Sequence, residues 1–238
     1  MINLSKRMQA IADKVTVDSS VADIGCDHGF VAIYLAQQKG VKKIFALDVN
    51  KGPLLRAKEH IEMNGLSQVI ETRLSDGAKA LSVNESDAAI IAGMGGKLIT
   101  RILTDSSDKF KVMKEVILST HSEIDCVRAY LCSEGYEIID EDMVYDEEKF
   151  YQIIRCRYTG SAYVLSKEEL LFGPKNIAQK NQVLRQYIKE KIEKKLAIKD
   201  NINKQADISV VEKKSVLTQR VKELDDEIIM LQKLMDNY

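Results

Sequence analysis

Apolar and polar residues change period several times along this chain, and each change marks an element. Val21 to Ile24 is apolar except for Asp23, stops in the turn Gly25-Cys26-Asp27-His28-Gly29, and gives way to a helix-period segment from Phe30 to Ala36. The pattern repeats with Lys43 to Val49 before a helix from Lys51 to Asn64, and with Val69 to Leu74 before Ser75-Asp76-Gly77. A fourth strand, Asp87 to Ala92, runs into Gly93-Met94-Gly95-Gly96 and a helix from Lys97 to Leu103. A fifth, Glu115 to Ser119, precedes a helix from Glu123 to Ser133 that Gly135 closes. Tyr136 to Tyr145 and Phe150 to Tyr158 then form an antiparallel pair around Asp146-Glu147-Glu148. Five strands alternating with helices, then a terminal hairpin, predict a Rossmann-like seven-stranded α/β sheet behind a leading amphipathic helix from Leu4 to Val15.

Beyond Gly160 the texture is helical. Ser166-x-x-Glu169 and Ser209-x-x-Glu212 are capping boxes that each open a helix, and Phe172-Gly173-Pro174 interrupts the first before the main helix resumes near Lys175. Leu217, Val221, Leu224, Ile228, Leu231, Met235 and Tyr238 alternate spacings of four and three, a coiled-coil seam. Leu184, Ile188, Ile192, Leu196 and Ile202 face it less regularly, so a break from Ala206 to Ile208 predicts an antiparallel helical hairpin. A monomer is expected, with dimerisation through the seam as the alternative.

With 238 residues, 45% of them hydrophobic, the chain can bury one full α/β core and carry an appendage. No leading segment resembles a signal peptide and no apolar run approaches a membrane span, so a cytoplasmic protein without a membrane partner is expected. Cys26, Cys126, Cys132 and Cys156 form no C-x-x-C pair and have no histidine at ligand spacing, so no metal is expected. The overall charge of −1 hides an asymmetry: residues 1–160 hold 20 basic against 24 acidic side chains, and the remainder 15 against 12. Nine bases and three acids lie between Lys175 and Lys204, a stripe including Lys189 and Lys195 that can neutralise phosphates without reading sequence. A solvated helix face is the plainer account of such a run.

The first glycine turn narrows the chemistry. A dinucleotide fingerprint places glycine where its backbone must approach a pyrophosphate, but counting from Gly25 this chain has Asp27 and Phe30 at the second and third glycine positions. A carboxylate there repels phosphate and suits a ligand with an ammonium group, and S-adenosylmethionine (SAM) is the common cofactor that fits. Asp23, Gly25, Cys26, Asp27 and Gly29 are therefore candidate cofactor contacts. Asp48, with Val49 and Asn50 at the second strand tip, can accept ribose hydroxyls in a SAM or an NAD site alike, and Asn50 is the candidate cap of the next helix. Asp76, between Ser75 and Gly77, can accept from an adenine amino group or serve as a turn residue. Ala92, Gly93, Met94 and Gly95 let backbone approach a ligand closely.

Together LSKRM at Leu4 to Met8, ADIGCDHG at Ala22 to Gly29, ALDVN at Ala46 to Asn50, SDG at Ser75 to Gly77 and AGMGG at Ala92 to Gly96 resemble the bacterial TrmK family. The resemblance is close over the first 160 residues and extends to the helical tail. It implies a class I SAM-dependent methyltransferase acting on N1 of the adenine at nucleotide 22 of tRNA. It implies a catalytic domain over 1–160 and a coiled-coil domain over 161–238 that grips tRNA.

Methyl transfer from a sulfonium is an in-line displacement for which the protein mainly holds the partners in line. Neutral adenine N1 already carries an in-plane lone pair, and the cationic product is stabilised by losing an amino proton to a nearby acceptor. Asp27 and His28 are the candidates for that role or for orienting the adenine, while Asp27 is equally suited to the methionine ammonium. The fourth strand tip lacks the Asp/Asn-Pro-Pro-aromatic motif typical of exocyclic-amine methylation, which favours a ring nitrogen. Arg7, Met94 and His121 are candidate substrate contacts. The rival readings are a methyltransferase of rRNA, protein or a small molecule, and a non-catalytic RNA-binding module.

Overall fold

Strand segments that are apolar on both parities need a cover on both faces, and the computed structural model supplies two. It describes residues 2–16, 18, 20–206 and 211–236, the side chains of 205, 206 and 211–214 excepted. In chain order the elements are α1 (Lys6–Asp13), β1 (Ser20–Ile24), α2 (Phe30–Gln38), β2 (Lys43–Asp48), α3 (Lys51–Met63), β3 (Ile70–Leu74), β4 (Ala88–Gly95), α4 (Gly96–Asp105) and α5 (Ser107–Phe110). They continue with β5 (Glu115–Ser122), α6 (Ile124–Ser133), β6 (Tyr136–Asp146), β7 (Lys149–Tyr158), α7 (Lys167–Phe172), α8 (Pro174–Ala178), α9 (Gln182–Ala206) and α10 (Val211–Asp236).

The seven strands form one sheet in the order β3-β2-β1-β4-β5-β7-β6. β1 to β5 run parallel, and β7 is antiparallel to both of its neighbours. Successive strand residues alternate between the two cores. Val21, Ile44, Ala46 and Ile90 join α1, α2 and α3 on one side. Ala22, Phe45, Leu47 and Ile91 join α4, α5 and α6 on the other. That two-sided burial explains why the strands read as nearly continuous apolar runs.

The chain departs from the sequence expectation where glycine and hydroxyl groups act locally. β4 does not end at Ala92 but continues through Gly93-Met94-Gly95, because Gly93 at φ +77° makes a bulge and shifts the register against β5. The Thr120 hydroxyl donates to the Met94 carbonyl at 2.9 Å, which holds the irregular stretch in the sheet. β5 likewise runs on to Ser122, so His121 lies on the strand rather than beyond it. Asn50 is the residue before α3, but its side chain makes no cap; its N–H instead donates to Asp48 Oδ1 at 2.8 Å.

A fully buried ion pair ties the far end of the sheet to the segment that follows it. Arg128 on α6 meets Glu141 on β6 at 2.8 Å and donates to Gln152 Oε1 on β7 at 2.6 Å and to the Leu170 carbonyl of α7 at 2.7 Å. The Lys175 N–H donates to the other Glu141 oxygen at 2.9 Å. The Ser166 capping box opens α7 as expected. These contacts keep residues 161–175 with the sheet, so the compact units are 1–175 and 176–238, and the expected division at Gly160 falls inside the first.

The helix expected to resume near Lys175 does so only as the short α8, and α9 starts afresh at Gln182. Lys180 takes φ +53°, and the Asn181 side chain caps the new start by accepting from the Val183 and Leu184 N–H groups. α9 and α10 pair antiparallel, with ion pairs Lys195–Glu227 and Lys199–Asp225 between them. Leu184, Ile188, Leu224, Ile228 and Leu231 are buried, as is Leu234, which lies off the expected seam; Leu196 is exposed. The Ser209 capping box, the reversal beyond Ala206 and Tyr238 lie outside the described residues.

Candidate active site

Strand order reverses between β1 and β4, and at such a switch point the carboxyl ends of the strands part to leave a crevice. A cavity of about 570 Å³ opens there, lined from the tips of β1 to β5 and from α1. The β1 tip contributes Asp23, Gly25, Cys26 and Asp27, and the β2 tip Asp48, Val49 and Asn50. Ser75, Asp76 and Gly77 line it after β3, Ala92, Gly93 and Met94 from β4, and His121 from β5. Arg7 reaches it from the N-terminal helix.

Its inner wall is acidic and short of cations. Asp23 and Asp48 are 5% and 8% exposed, and neither carboxylate has an ion-pair partner among the described residues. Burial, reinforced by the Asp48 charge, pushes the Asp23 carboxyl up to about 7. Burial first and the surrounding carboxylates second keep Cys26 a neutral thiol. Asp48 accepts from the Asp27 N–H at 3.3 Å, so the second strand tip fixes the glycine turn, in which Asp27 itself takes φ +47°. The Asp27 carboxylate is 63% exposed at the rim, 3.8 Å from Arg56 and 3.6 Å from His28. Asp76 is held by Lys79 at 2.5 Å and faces Arg101 at 3.4 Å, and the Lys79 hydrogen bond lowers its pKa.

The opposite wall is built from the ends of the first unit. Where Gly93 lacks a side chain, Arg7 Nη2 and His121 Nε2 converge, 3.4 and 3.7 Å from the position a Cβ would take. Tyr151 on β7 backs both, with the Arg7 guanidinium 4.6 Å from its ring centre and the His121 ring edge-on at 6.1 Å. The Arg7 N–H donates to Asp146 Oδ2 at 3.0 Å, pinning α1 to the tip of the β6–β7 hairpin. Burial, then the Arg7 charge, lowers the His121 pKa, which favours the neutral imidazole.

His28, Gly29 and Gly95 do not line the cavity. Gly29 begins α2 and lies against Ala57 of α3, Gly95 begins α4, and the His28 ring stacks on Phe30 and His60. Lys189 and Lys195 belong to the second unit; Lys189 is exposed, while Lys195 is engaged by Glu227. No group of metal-ligating side chains occurs among the described residues. Sequence reasoning missed Met8, Leu98 and Arg101 in the lining and Tyr151 behind it. Met8 and Leu98 are the exposed apolar residues of two amphipathic helices, a signal visible in the pattern but shared with ordinary surface positions.

A sheet with this strand order, an antiparallel penultimate strand and an acid-bearing glycine turn at the switch point defines a class I methyltransferase, and residues 4–154 match the model of the methyltransferase domain family. The tRNA (adenine(22)-N(1))-methyltransferase of Bacillus subtilis is 30% identical to this chain over 99% of its length and 98% of that protein's. The chain belongs to this family. The crystal structure of the B. subtilis m1A22 tRNA methyltransferase TrmK superposes with a TM-score of 0.81 at 28% identity, covering 99% of this chain and all of that one. Streptococcus pneumoniae Sp1610 in complex with S-adenosyl-L-methionine gives 0.79 at 27% identity, covering 95% and 100%.

Proposed function

We propose that this protein transfers a methyl group from SAM to N1 of the adenine at nucleotide 22 of tRNA. The observation that carries the reading is the charge of the cleft: two buried carboxylates without a cation line a cavity whose glycine turn has an acid where a pyrophosphate would otherwise lie. Those residues fit SAM. When bound, SAM supplies a methyl group made electrophilic by its positive sulfur.

The chain's own residues divide the remaining work. Asp48 accepts the ribose hydroxyls, Val49 offers an exposed apolar surface to the adenine ring, and Asp76 accepts from its amino group. Asp23 and Gly25 form the floor at the strand end, where backbone and acid face the cationic part of the cofactor. Asp27, exposed on the rim, accepts the amino-group hydrogen bond of the target adenine and so favours the methylated product. Gly93 and Met94 leave the β4 tip open for the incoming base, and Arg7 with His121 forms its far wall. No general base is needed before attack, because the ring nitrogen presents its lone pair without deprotonation.

The helical unit supplies affinity. Lys189 and the other exposed bases of α9 neutralise tRNA phosphates without sequence preference. The protein acts as a monomer in the cytoplasm, where its substrate is. No described helix is long and apolar enough to cross a membrane.

The decisive test is to incubate the protein with SAM and unmodified tRNA and map the product by nucleoside mass spectrometry. Formation of 1-methyladenosine at nucleotide 22 is expected, and its absence rejects the proposal.

A further inference from the structure

His28, which the cavity excludes, belongs to a second feature on the same rim. The rings of His28, Phe30 and His60 lie within 27° of parallel, with centroids 5.0 to 5.8 Å apart. The cluster is locked from below: His60 Nδ1 lies 2.9 Å from the His28 carbonyl, and because a carbonyl only accepts, that nitrogen carries the proton. It does not complete the core. The buried face of α2 is Ala32, Ile33 and Leu35, whereas the His28 side chain is 38% exposed.

We infer that this ring cluster is a stacking site for an RNA nucleobase adjacent to the one being methylated. The inference rests on the proposed action on tRNA and names a contact that action needs. A base can reach an enclosed cleft only by leaving its stack, which strips its neighbour of one stacking partner. Aromatic faces replace that partner for any base, since every base has a π-face. Position agrees with this role. His28 Nε2 is 3.6 Å from Asp27 on the cavity rim, so the rings continue the site outward.

The test separates this contact from the reaction. Phe30→Leu and His60→Ala are each expected to raise KM for tRNA about ten-fold, with kcat and calorimetric SAM affinity within about two-fold of wild type. His60→Phe, which keeps a ring, restores KM. Independently of any variant, 2-aminopurine placed at one or other neighbour of the target nucleotide loses fluorescence on binding wild-type protein. An unchanged KM in both variants, a KM defect that His60→Phe leaves in place, an equal loss of SAM affinity, or emission that rises at both neighbours overturns the assignment while leaving the methylation reading intact. A wild-type protein that makes no 1-methyladenosine overturns both.

Discussion

Replacing Asp23 with asparagine removes a charge that the fold holds at a cost. Burial is the main cause of its displaced titration, with Asp48 from β2 second and a backbone hydrogen bond to Ala32 opposing both. The Cys26 thiol, on the turn that follows it, is the other titratable group coupled to it. Its carboxyl titrates near 7 against a reference of 3.8. That gap of about three units corresponds to roughly 4 kcal/mol between the protonated and ionised forms within the folded protein. Because the folded value is the higher one, the native state binds more protons than the unfolded chain between them. The destabilisation is therefore absent below about pH 4, grows through the window, and is complete above about pH 7. A cationic ligand favours the ionised form. SAM binding should thus release a proton from Asp23, most fully below pH 7 and progressively less as the pH rises above it. Titration calorimetry in buffers of different ionisation enthalpy measures this release as the difference between wild type and Asp23→Asn. The ligand-free variant should also melt several degrees above wild type near pH 8, with the gap closing toward pH 4. Equal proton release by both proteins, or a melting difference that does not change with pH, would refute the reasoning.

Three further outcomes follow from other parts of the molecule. Gly173→Ala places a methyl group 2.5 Å from Glu141 Oε2 and 2.7 Å from Arg128 Nη2 at a residue with φ +92°; against so fixed a pair the expected loss is roughly 2–4 kcal/mol in urea unfolding, and a loss under about 1 kcal/mol would contradict the packing described. Arg7→Ala should raise KM for tRNA about ten-fold and lower the salt slope of binding by about one without altering SAM affinity; a matching fall in SAM affinity would move Arg7 to the cofactor side. Lys189→Ala should reduce the salt slope of tRNA binding by about one, whereas Lys195→Ala, whose ammonium already serves Glu227, should reduce it less; the reverse order would mean that the other face of α9 meets the RNA.

The strands were legible because a parallel sheet covered on both faces leaves long apolar runs, and the candidate cofactor contacts because each strand tip announced itself with glycine or an acid. Local compensation was not legible. Gly93-Met94-Gly95 reads as the end of a strand, yet a bulge and the Thr120 hydroxyl, 26 residues away, keep it paired. Asn50 has the residue type of a cap but spends its N–H on Asp48. Tyr151 and Arg101 gave no signal because their neighbours in space, Arg7 and Asp76, are distant in sequence. His28 sits in the motif that defines the site, and only the side-chain packing reveals that its ring stacks on Phe30 and His60 outside the cavity lining.

The bond from Arg7 to Asp146 joins residues 139 positions apart. A ribosome makes the first of these groups long before the second, so until the hairpin emerges and folds the earliest helix is held by its contacts with Tyr34 and Lys39 alone of the polar ones described. During synthesis the strands that bear the acid wall are made before the hairpin that backs the wall proposed to receive the base. On that reading the donor side of the crevice draws on earlier parts of the chain than the acceptor side does.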